Sequence, residues 1–491
     1  MTRSIAWLIV VGTAVTLAAA PPAPDLVAAV KAGNSTAVRA LLQQHADVNA
    51  REIDGTTALH WASRAADVQT VALLLRAGAD PNALNRYGAT ALSLAARTGN
   101  AGVLDALFRA GASLKTADAA LTDGQTVLML AARAGNVEAV KLLVARGASV
   151  NAAERRTGTT ALMWAALDDR AEAVRALVAA GADVNARSAV TEYPHTPPGV
   201  IGDKVEEGAS YVGQSVLPKG GWTALTYASR QGALGAVTAL ADSGADLNAV
   251  DPDGSSALMV AIINGYGDIA ARLVEKGANP NLGDRTGATP LYAAIDMHTL
   301  ATTFGRPDLP PAVVAGSLDV VKMLLAHGAD PNAKLKEKVI KRQYNPGDPR
   351  LGEGATPFMR AARGGDAPVM RLLLRAGADP ALTQKNGNTP LYLAASIGPG
   401  GNNPDHGTEK GALEAIAICL EAGADINAVN AAGDTAVHAA LGSPAIVRYL
   451  ADRGARVDVK NKQGRTPLDT VLRNREGNPE TIALLKRLTV Q

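Results

Sequence analysis

Apolar and polar residues follow two short helical patterns in this chain, separated by phrases rich in glycine, aspartate and asparagine. Leu59 and Ala62 share one face of a helix that begins after Thr57, whose hydroxyl can cap free backbone N–H groups. A second apolar pattern predicts a helix from Val68 to Arg76, which Gly78 ends because glycine tolerates a left-handed conformation. The pattern therefore predicts a unit of turn, helix, short link and antiparallel helix.

This unit recurs at a nearly fixed interval. The phrase Gly-Ala-Asp-x-Asn-Ala or a looser copy closes each unit, and its first alanine falls at Ala46, Ala79 and Ala112, 33 residues apart. The same alanine recurs at Ala148, Ala182, Ala245, Ala278, Ala329, Ala378, Ala424 and Ala455. A fixed period of this size predicts a stack of repeats rather than a globular enzyme core.

The first helix of each unit opens with a recurring motif. It reads Thr-Ala-Leu-His at 57–60, Thr-Pro-Leu-Tyr at 289–292 and 389–392, and Thr-Ala-Val-His at 435–438. Together with the Gly-Ala-Asp phrase at the right offset, this motif resembles the ankyrin repeat. The resemblance covers residues 24–491 and implies an all-α ankyrin-repeat solenoid of about eleven repeats, preceded by a capping half-unit at 24–50.

Composition narrows the class of protein further. Hydrophobic residues make up 47% of the chain and aromatic residues 3%, so alanine and leucine must form the core. The formal net charge of +2 gives no electrostatic argument for nucleic-acid binding. Cys419 is the one cysteine and lies in an apolar helical run, which predicts a small buried hydrophobe and excludes a disulfide within the chain.

The first twenty residues have a different pattern. Arg3 precedes an uncharged apolar run at 5–17, and Ala18-Ala19-Ala20 offers small residues for cleavage. We therefore expect a secretory signal peptide at 1–20, with an uncleaved N-terminal anchor as the alternative. After cleavage, residues 21–491 would form a single solenoid without membrane insertion, exported to the periplasm or the cell exterior.

The repeat period is broken four times after Ala182, where the interval between markers grows to 63, 51, 49 and 46 residues. The resulting insertions lie near 188–219, 296–312, 335–352 and 399–409. The first and third lengthen the finger hairpins between repeats and carry Tyr193 and Tyr344, whereas the other two separate the helices of one repeat. Two interpretations stay open, because long loops can bind a partner or be tolerated at the surface.

Candidate chemistry is sparse. The chain has neither a phosphate-binding glycine motif nor a Gly-x-Ser-x-Gly turn. His60 and His438 belong to the repeat's helix-start motif, in which histidine usually forms a hydrogen bond with the backbone of a neighbouring repeat. His195, His298 and His406 lie in insertions, too far apart along the stack to share a metal ion unless the loops converge. We therefore predict no catalytic residue, no metal site and no cofactor.

Partner contacts are expected at the concave face of the solenoid. Trp222 occupies a turn position between Gly221 and Thr223 and should contact a partner, whereas Trp61 and Trp164 should lie in the core. Arginines recur near the end of the first helix, at Arg64, Arg97, Arg133, Arg230 and Arg363. They make this face modestly basic, which favours an acidic partner, although arginine is common at this position of ankyrin repeats.

The resemblance implies a non-catalytic scaffold, similar in layout to exported bacterial ankyrin-repeat proteins. Such a scaffold would act as a monomer and bind a partner protein through the concave groove and the elongated finger loops. Two alternatives come from other classes of function. The chain could bind an anionic cell-envelope polymer, or it could be an accessory subunit of an envelope enzyme, with a site formed between the long insertions.

Overall fold

The computed structural model describes residues 25–190, 200–201, 204–205, 220–299, 311–337, 348, 350–396, 408–473 and 478–490. The chain divides into two compact units, Met1–Thr122 and Asp123–Gln491. The predicted signal peptide at 1–20 lies outside the described residues, and a single solenoid over 21–491 stays a prediction. No helix among the described residues is long and apolar enough to cross a membrane.

The first unit is helical. Its helices are α1 Leu26–Lys31, α2 Ser35–Gln43, α3 Ala58–Arg64, α4 Val68–Arg76, α5 Ala91–Thr98, α6 Ala101–Arg109 and α7 Leu114–Ala120. The bounds of α4 confirm the predicted second helix. The short α7 was missed by the sequence analysis; it follows the Ala112 marker and is capped by Ser113, which accepts a hydrogen bond from the Thr116 N–H.

The second unit repeats the same helix pairs. They are α8 Val127–Ala134, α9 Val137–Ala145, α10 Ala161–Leu167, α11 Ala171–Ala179, α12 Ala224–Gln231, α13 Leu234–Asp242, α14 Ala257–Ile263, α15 Gly267–Glu275, α16 Pro290–Thr299, α17 Pro311–Ala326, α18 Pro357–Gly364, α19 Ala367–Arg375, α20 Pro390–Ala395, α21 Glu409–Glu421, α22 Ala436–Ala439, α23 Pro444–Ala451, α24 Pro467–Arg473 and α25 Pro479–Val490. Two-residue strands, β1 Val200–Ile201 and β2 Lys204–Val205, pair antiparallel between α11 and α12. The predicted all-α class is confirmed.

Side-chain caps and glycines set the ends of the first helices. Thr90 and Thr126 accept hydrogen bonds from the N–H groups of the third helical residues of α5 and α8. Gly99 and Gly135 end these helices with φ of +69° and +83°, a conformation that costs other residues energy. Thr57 begins α3 as predicted, but its hydroxyl pairs with His60 Nδ1 at 2.9 Å.

Small side chains let neighbouring helices approach closely. Ala62 of α3 and Ala95 of α5 are fully buried, and so are Leu74 and Leu107 of the second helices α4 and α6. The first helices contact one another in sequence, α3 with α5, and so do the second helices, α4 with α6. The core of each unit is therefore alanine- and leucine-rich, as the composition predicts.

The asparagine of the Gly-Ala-Asp-x-Asn-Ala phrase joins one repeat to the next. Asn82 Nδ2 donates to the Gly111 carbonyl at 3.0 Å, and Asn82 Oδ1 accepts from the Ser113 N–H at 2.7 Å. The same two bonds are made by Asn49, Asn151, Asn281, Asn332 and Asn427. Ala381 stands at this position in one repeat, where the side-chain bridge cannot form.

The motif histidines confirm their predicted structural role. His60 Nε2 lies 2.9 Å from the Ala89 carbonyl of the next repeat, while His60 Nδ1 accepts from the Thr57 N–H. His438 makes the equivalent contact with the Arg465 carbonyl at 3.2 Å. Burial is the largest cause of the lowered pKa of His60, which favours a neutral ring that donates from Nε2 and accepts at Nδ1.

Candidate partner-binding face

In helices α10 and α12 the fourth residue differs in burial from the residue that follows it. In α10 and α12 the fourth residues are Trp164 and Tyr227, which are half-buried. The next residues, Ala165 and Ala228, are fully buried in the core. The fourth position therefore presents an aromatic ring at the surface of both helices.

Trp222 lies two residues before α12 and packs beside this surface. Its ring is 5.3 Å from that of Tyr227, measured between centroids, and the two planes meet at 75°, an edge-to-face arrangement. The guanidinium carbon of Arg230, in the last turn of α12, lies 4.7 Å from the Trp222 ring centroid. The half-buried Trp222 ring is thus held between an aromatic edge and a cation.

The backbone of Trp222 is fixed at the base of the 188–219 insertion. Its N–H donates to Ser188 Oγ at 3.0 Å, and its carbonyl accepts from the Ser188 N–H at 3.0 Å. Arg187 adds a bond from Nη1 to the Gly221 carbonyl at 3.0 Å. The two ends of the insertion are therefore tied together, and this connection sets the position of the Trp222 ring.

Trp164 is held in a comparable way by the preceding repeat. The guanidinium carbon of Arg133, in α8, lies 4.9 Å from the Trp164 ring centroid. Arg133 Nε also donates to Asp168 Oδ2 at 3.1 Å, and Trp164 Nε1 donates to Thr159 Oγ1 at 3.2 Å. The Arg133 guanidinium therefore stacks on Trp164 and pairs with Asp168, while 53% of the side chain remains exposed.

These residues form one surface on three successive first helices. Helix α10 packs against α8 on one side and α12 on the other. We call this surface the aromatic–arginine face, and it consists of Arg133, Trp164, Trp222, Tyr227 and Arg230. Rigid aromatic rings and planar guanidinium groups are the side chains that most often dominate binding energy at protein interfaces.

The first unit carries a related arrangement around Trp61, the fourth residue of α3. Lys31 Nζ lies 4.4 Å from the Trp61 ring centroid and the Arg64 guanidinium carbon 5.4 Å from it. Trp61 Nε1 donates to Glu52 Oε2 at 2.6 Å, and Lys31 pairs with the other Glu52 oxygen at 2.5 Å. Hydrogen bonds from Lys31 and then from Trp61 lower the pKa of Glu52. Arg97, another arginine predicted to contact a partner, is exposed in the last turn of α5 in this unit.

Two predictions for tryptophan need correction. Trp61 and Trp164 were expected in the core, yet both are half-buried and covered by cations. Each ring is only partly covered by the helices and is capped by a cation, Lys31 on Trp61 and Arg133 on Trp164. Trp222 is also half-buried, and its contact with a partner stays a prediction.

Arg363 was predicted to contact a partner, and this prediction also needs correction because the residue is buried. It is 1% exposed, its Nε lies 2.7 Å from Asp348 Oδ2, and its Nη1 donates to the Ser396 carbonyl at 3.2 Å. Burial lowers the pKa of Arg363, and the Asp348 carboxylate opposes that effect. The carboxylate comes from the 335–352 insertion, so the spacing of the repeats could not reveal the pair. Arg363 is therefore unavailable to a partner.

The ends of that insertion pack against the first helices around Arg363. Leu335 and Leu351 belong to one buried cluster with Tyr292 of α16 and Met359 of α18. Arg360, also in α18, is 2% exposed and pairs with Asp296. In this part of the second unit Arg363 pairs with Asp348 of the insertion, and Arg360 pairs with Asp296 of α16.

The remaining predicted residues divide between described and undescribed parts of the chain. Tyr193, Tyr344, His195 and His406 lie outside the described residues. His298 lies in the last turn of α16, with Nδ1 2.7 Å from Ser317 Oγ and Nε2 3.6 Å from Asp366 Oδ2. Within the described ranges, no group of three or more histidine, cysteine, aspartate or glutamate side chains is arranged to hold a metal ion.

The fold defines a helical repeat protein built from antiparallel helix pairs. Family models for ankyrin repeats match residues 26–118, 111–188, 225–303, 312–402, 407–489 and, as a single repeat, 286–336. The chain belongs to the ankyrin-repeat family. Ankyrin repeats generally mediate protein–protein interaction.

Curated relatives agree with this family. The chain is 30% identical to the ankyrin repeat protein YahD of Escherichia coli (strain K12), over 35% of this chain and 88% of YahD. It is 26% identical to the E3 ubiquitin-protein ligase KEG of Arabidopsis thaliana and 31% identical to the mouse B-cell lymphoma 3 protein homolog. These matches cover 46% and 41% of this chain, but only 14% of KEG and 38% of the mouse protein.

Two solved ankyrin repeat domains are similar to parts of this chain. The human ASB11 ankyrin repeat domain is 24% identical and matches 54% of this chain and 96% of its own, with a TM-score of 0.39. The ankyrin repeat domain of Bcl-3 is 30% identical over 48% of this chain and 93% of its own, with a TM-score of 0.35.

Proposed function

We propose that the chain is a non-catalytic scaffold that binds a partner protein through the aromatic–arginine face. The observation that carries this proposal is the cation–aromatic stack repeated on successive first helices, Arg133 on Trp164 and Arg230 on Trp222. The stacked rings are held by hydrogen bonds and neighbouring rings, so little side-chain entropy remains to be lost on binding. The insertions that carry Tyr193 and Tyr344 are proposed to add contacts at the edge of the face.

Charge on this face favours a protein over an anionic polymer. Arg133 already pairs with Asp168, which removes part of the cationic field that a polyanion would need. Exposed arginine without such a carboxylate neighbour would give a strongly salt-dependent attraction to any polyanion. A partner that presents apolar side chains together with a few carboxylates matches the stacked rings and the Arg230 guanidinium.

A crosslinking experiment tests this function. A photoreactive residue at Leu167, at the end of α10, should crosslink one reproducible protein from the envelope fraction, and peptides from both sides should be identified by mass spectrometry. The same residue at Arg175, on the second helix α11 and exposed, serves as the matched control. Equal capture at both positions, or recovery of carbohydrate polymer without protein, would contradict the proposal.

We also propose that the chain is a bacterial protein exported to the periplasm or the cell exterior. After removal of residues 1–20 it acts as a monomer. The support is the apolar run at 5–17 followed by three alanines. Mass spectrometry of the mature N-terminus in fractionated cells should find a chain that begins near Pro21. A full-length chain in the cytoplasmic fraction would overturn this proposal and leave the binding face untouched.

A further inference from the structure

A cavity whose lining shares no residue with the aromatic–arginine face lies between two helix pairs of the second unit. It has a volume of about 460 Å³ and is enclosed by α14 and α15 on one side and α16 and α17 on the other. Its walls are mainly apolar, with Ile262, Met297 and Met323 as the largest side chains. This size falls within the usual range for small-molecule sites.

The cavity exists because α17 begins unusually early. In a regular repeat such as the α8–α9 pair, Gly135 ends the first helix with φ of +83° before the second helix begins. The corresponding Gly316 instead lies inside α17, which already begins at Pro311. A Cβ atom added to Gly316 would meet no atom within 4 Å, so this glycine faces open space. Where a regular repeat has a packed turn, this one has a gap.

The charged side chains that line the cavity are two carboxylates. Asp268, in the first turn of α15, and Asp319 of α17 are both exposed carboxylates that line the opening. Lys322 Nζ lies 2.9 Å from Asp319 Oδ1 and neutralises part of that charge. The two lining carboxylates and this one lysine together still carry a net negative charge. Exposed carboxylates beside an apolar cavity attract a ligand that combines an apolar body with a positive charge.

Ser317 also lines the cavity but does not make it a hydrolytic site. Its Oγ lies 2.7 Å from His298 Nδ1, and His298 Nε2 lies 3.6 Å from Asp366 Oδ2, which resembles a relay. Nucleophilic catalysis also needs free donors to stabilise an oxyanion. Ser317 lies within α17, where the neighbouring backbone N–H groups bond to helix carbonyls, and Asp366 caps α19. The arrangement ties three helices together.

We propose that this cavity binds a small apolar molecule that carries one ammonium group. The apolar body lies among Ile262, Met297 and Met323, and the ammonium group lies at the opening near Asp268 and Asp319. The inference is independent of the partner-binding face, because none of its residues belongs to that face. The site would give the scaffold a small-molecule ligand in addition to a protein partner.

Three matched probes test the proposal on the full chain. They are 3-phenylpropylamine, 3-phenylpropanol and 3-phenylpropionate, which share one apolar body and differ in charge. Methyl NMR of labelled methionine should show shifts at Met297 and Met323, with a Kd of about 0.1 to 1 mM for the amine. The alcohol should bind about 3-fold to 10-fold more weakly, and the carboxylate should not bind. Equal shifts with all three probes, or none with the amine, would overturn the proposal.

Two variants separate the apolar and the charged contributions. Gly316→Leu should fill the cavity and abolish the amine shifts, whereas Ala326→Leu, exposed on the same helix, should leave them unchanged. Asp268→Asn with Asp319→Asn should weaken the amine to the level of the alcohol without changing the alcohol. Amine binding that survives Gly316→Leu in folded protein, or that is unchanged in the double asparagine variant, would contradict the assignment. If Gly316→Leu fails to fold, the asparagine pair still decides the proposal.

Discussion

Arginine at one position of the first helix has two different environments. Arg230 is exposed and stacks on Trp222, whereas Arg363, at the same position of α18, is buried against Asp348. An exposed cation–aromatic contact contributes on the order of 0.5–1 kcal/mol. Removing one partner of a buried ion pair leaves an uncompensated charge, which costs roughly 3–5 kcal/mol. Burial therefore distinguishes arginines that are available to a partner from arginines that stabilise the fold.

This difference predicts contrasting effects on stability. Arg363→Ala should lower the free energy of unfolding by about 3–5 kcal/mol, because Asp348 would remain buried without its cation. Arg230→Ala should lower it by about 1 kcal/mol or less. Urea denaturation followed by circular dichroism measures both. Similar values for the two variants would show that Arg363 is not held as described.

The sequence predicted some of these residues and missed others for a physical reason. His60 and His438 were placed correctly because their partners are backbone atoms at a fixed offset in the next repeat. Arg363 was misplaced because its partner, Asp348, lies in an insertion whose path the repeat period does not determine. Trp164 was assigned to the core because it directly precedes an alanine of the first helix, whereas its ring is half-buried under Arg133 of the preceding repeat.

At the scale of elements, side-chain bridges join the repeats. Asn82 and its equivalents each bond a glycine carbonyl and a backbone N–H of the next repeat. Within the same phrase, the Asp80 side chain accepts a hydrogen bond from the Asn82 N–H at 2.9 Å. The bridging role of the asparagine went unnoticed, although its recurrence at one position was visible.

Ala381 allows a test of this bridge. Ala381→Asn should raise the free energy of unfolding of the second unit by about 0.5–1.5 kcal/mol, because the new amide can reach the backbone of Gly423 and Asp425. Ala381→Gln is the matched control, since its longer side chain carries the same amide out of register. Chemical denaturation measures both variants. A gain as large for glutamine as for asparagine would rule out the bridge as the cause.

His60 predicts a pH dependence for the first unit. Burial is the main cause of its lowered pKa, so the folded unit keeps this ring neutral while the unfolded chain protonates near the ordinary value of 6.5. Stability from this group is therefore present above about pH 6.5 and is lost as pH falls below it. The free energy of unfolding should decrease between pH 7.5 and 5.5, and less so in His60→Gln. An identical decrease in His60→Gln would show that another group causes the pH dependence of the unfolding free energy.

At the scale of the whole molecule, regular repeats and their interruptions have different consequences. The regular repeats, as in α3 to α6, bring the same structural residues together each time. The interruptions produce the features that the period could not predict, namely the fixed base of the 188–219 insertion, the buried Arg363 and the cavity beside α17. Several specific features of this chain therefore arise where the 33-residue period fails, whereas the Arg133–Trp164 stack lies in regular repeats.

The affinity of the crosslinked partner for variants of the aromatic–arginine face tests the central claim most directly. Trp222→Ala combined with Arg230→Ala should raise the Kd about 30-fold or more, because loss of such anchors typically costs 2 kcal/mol or more. Arg175→Ala, on the second helix α11, should change the Kd less than about 2-fold. Calorimetry with folded variants, checked by thermal unfolding, gives these values. An unchanged Kd in the Trp222 and Arg230 double variant would contradict the account.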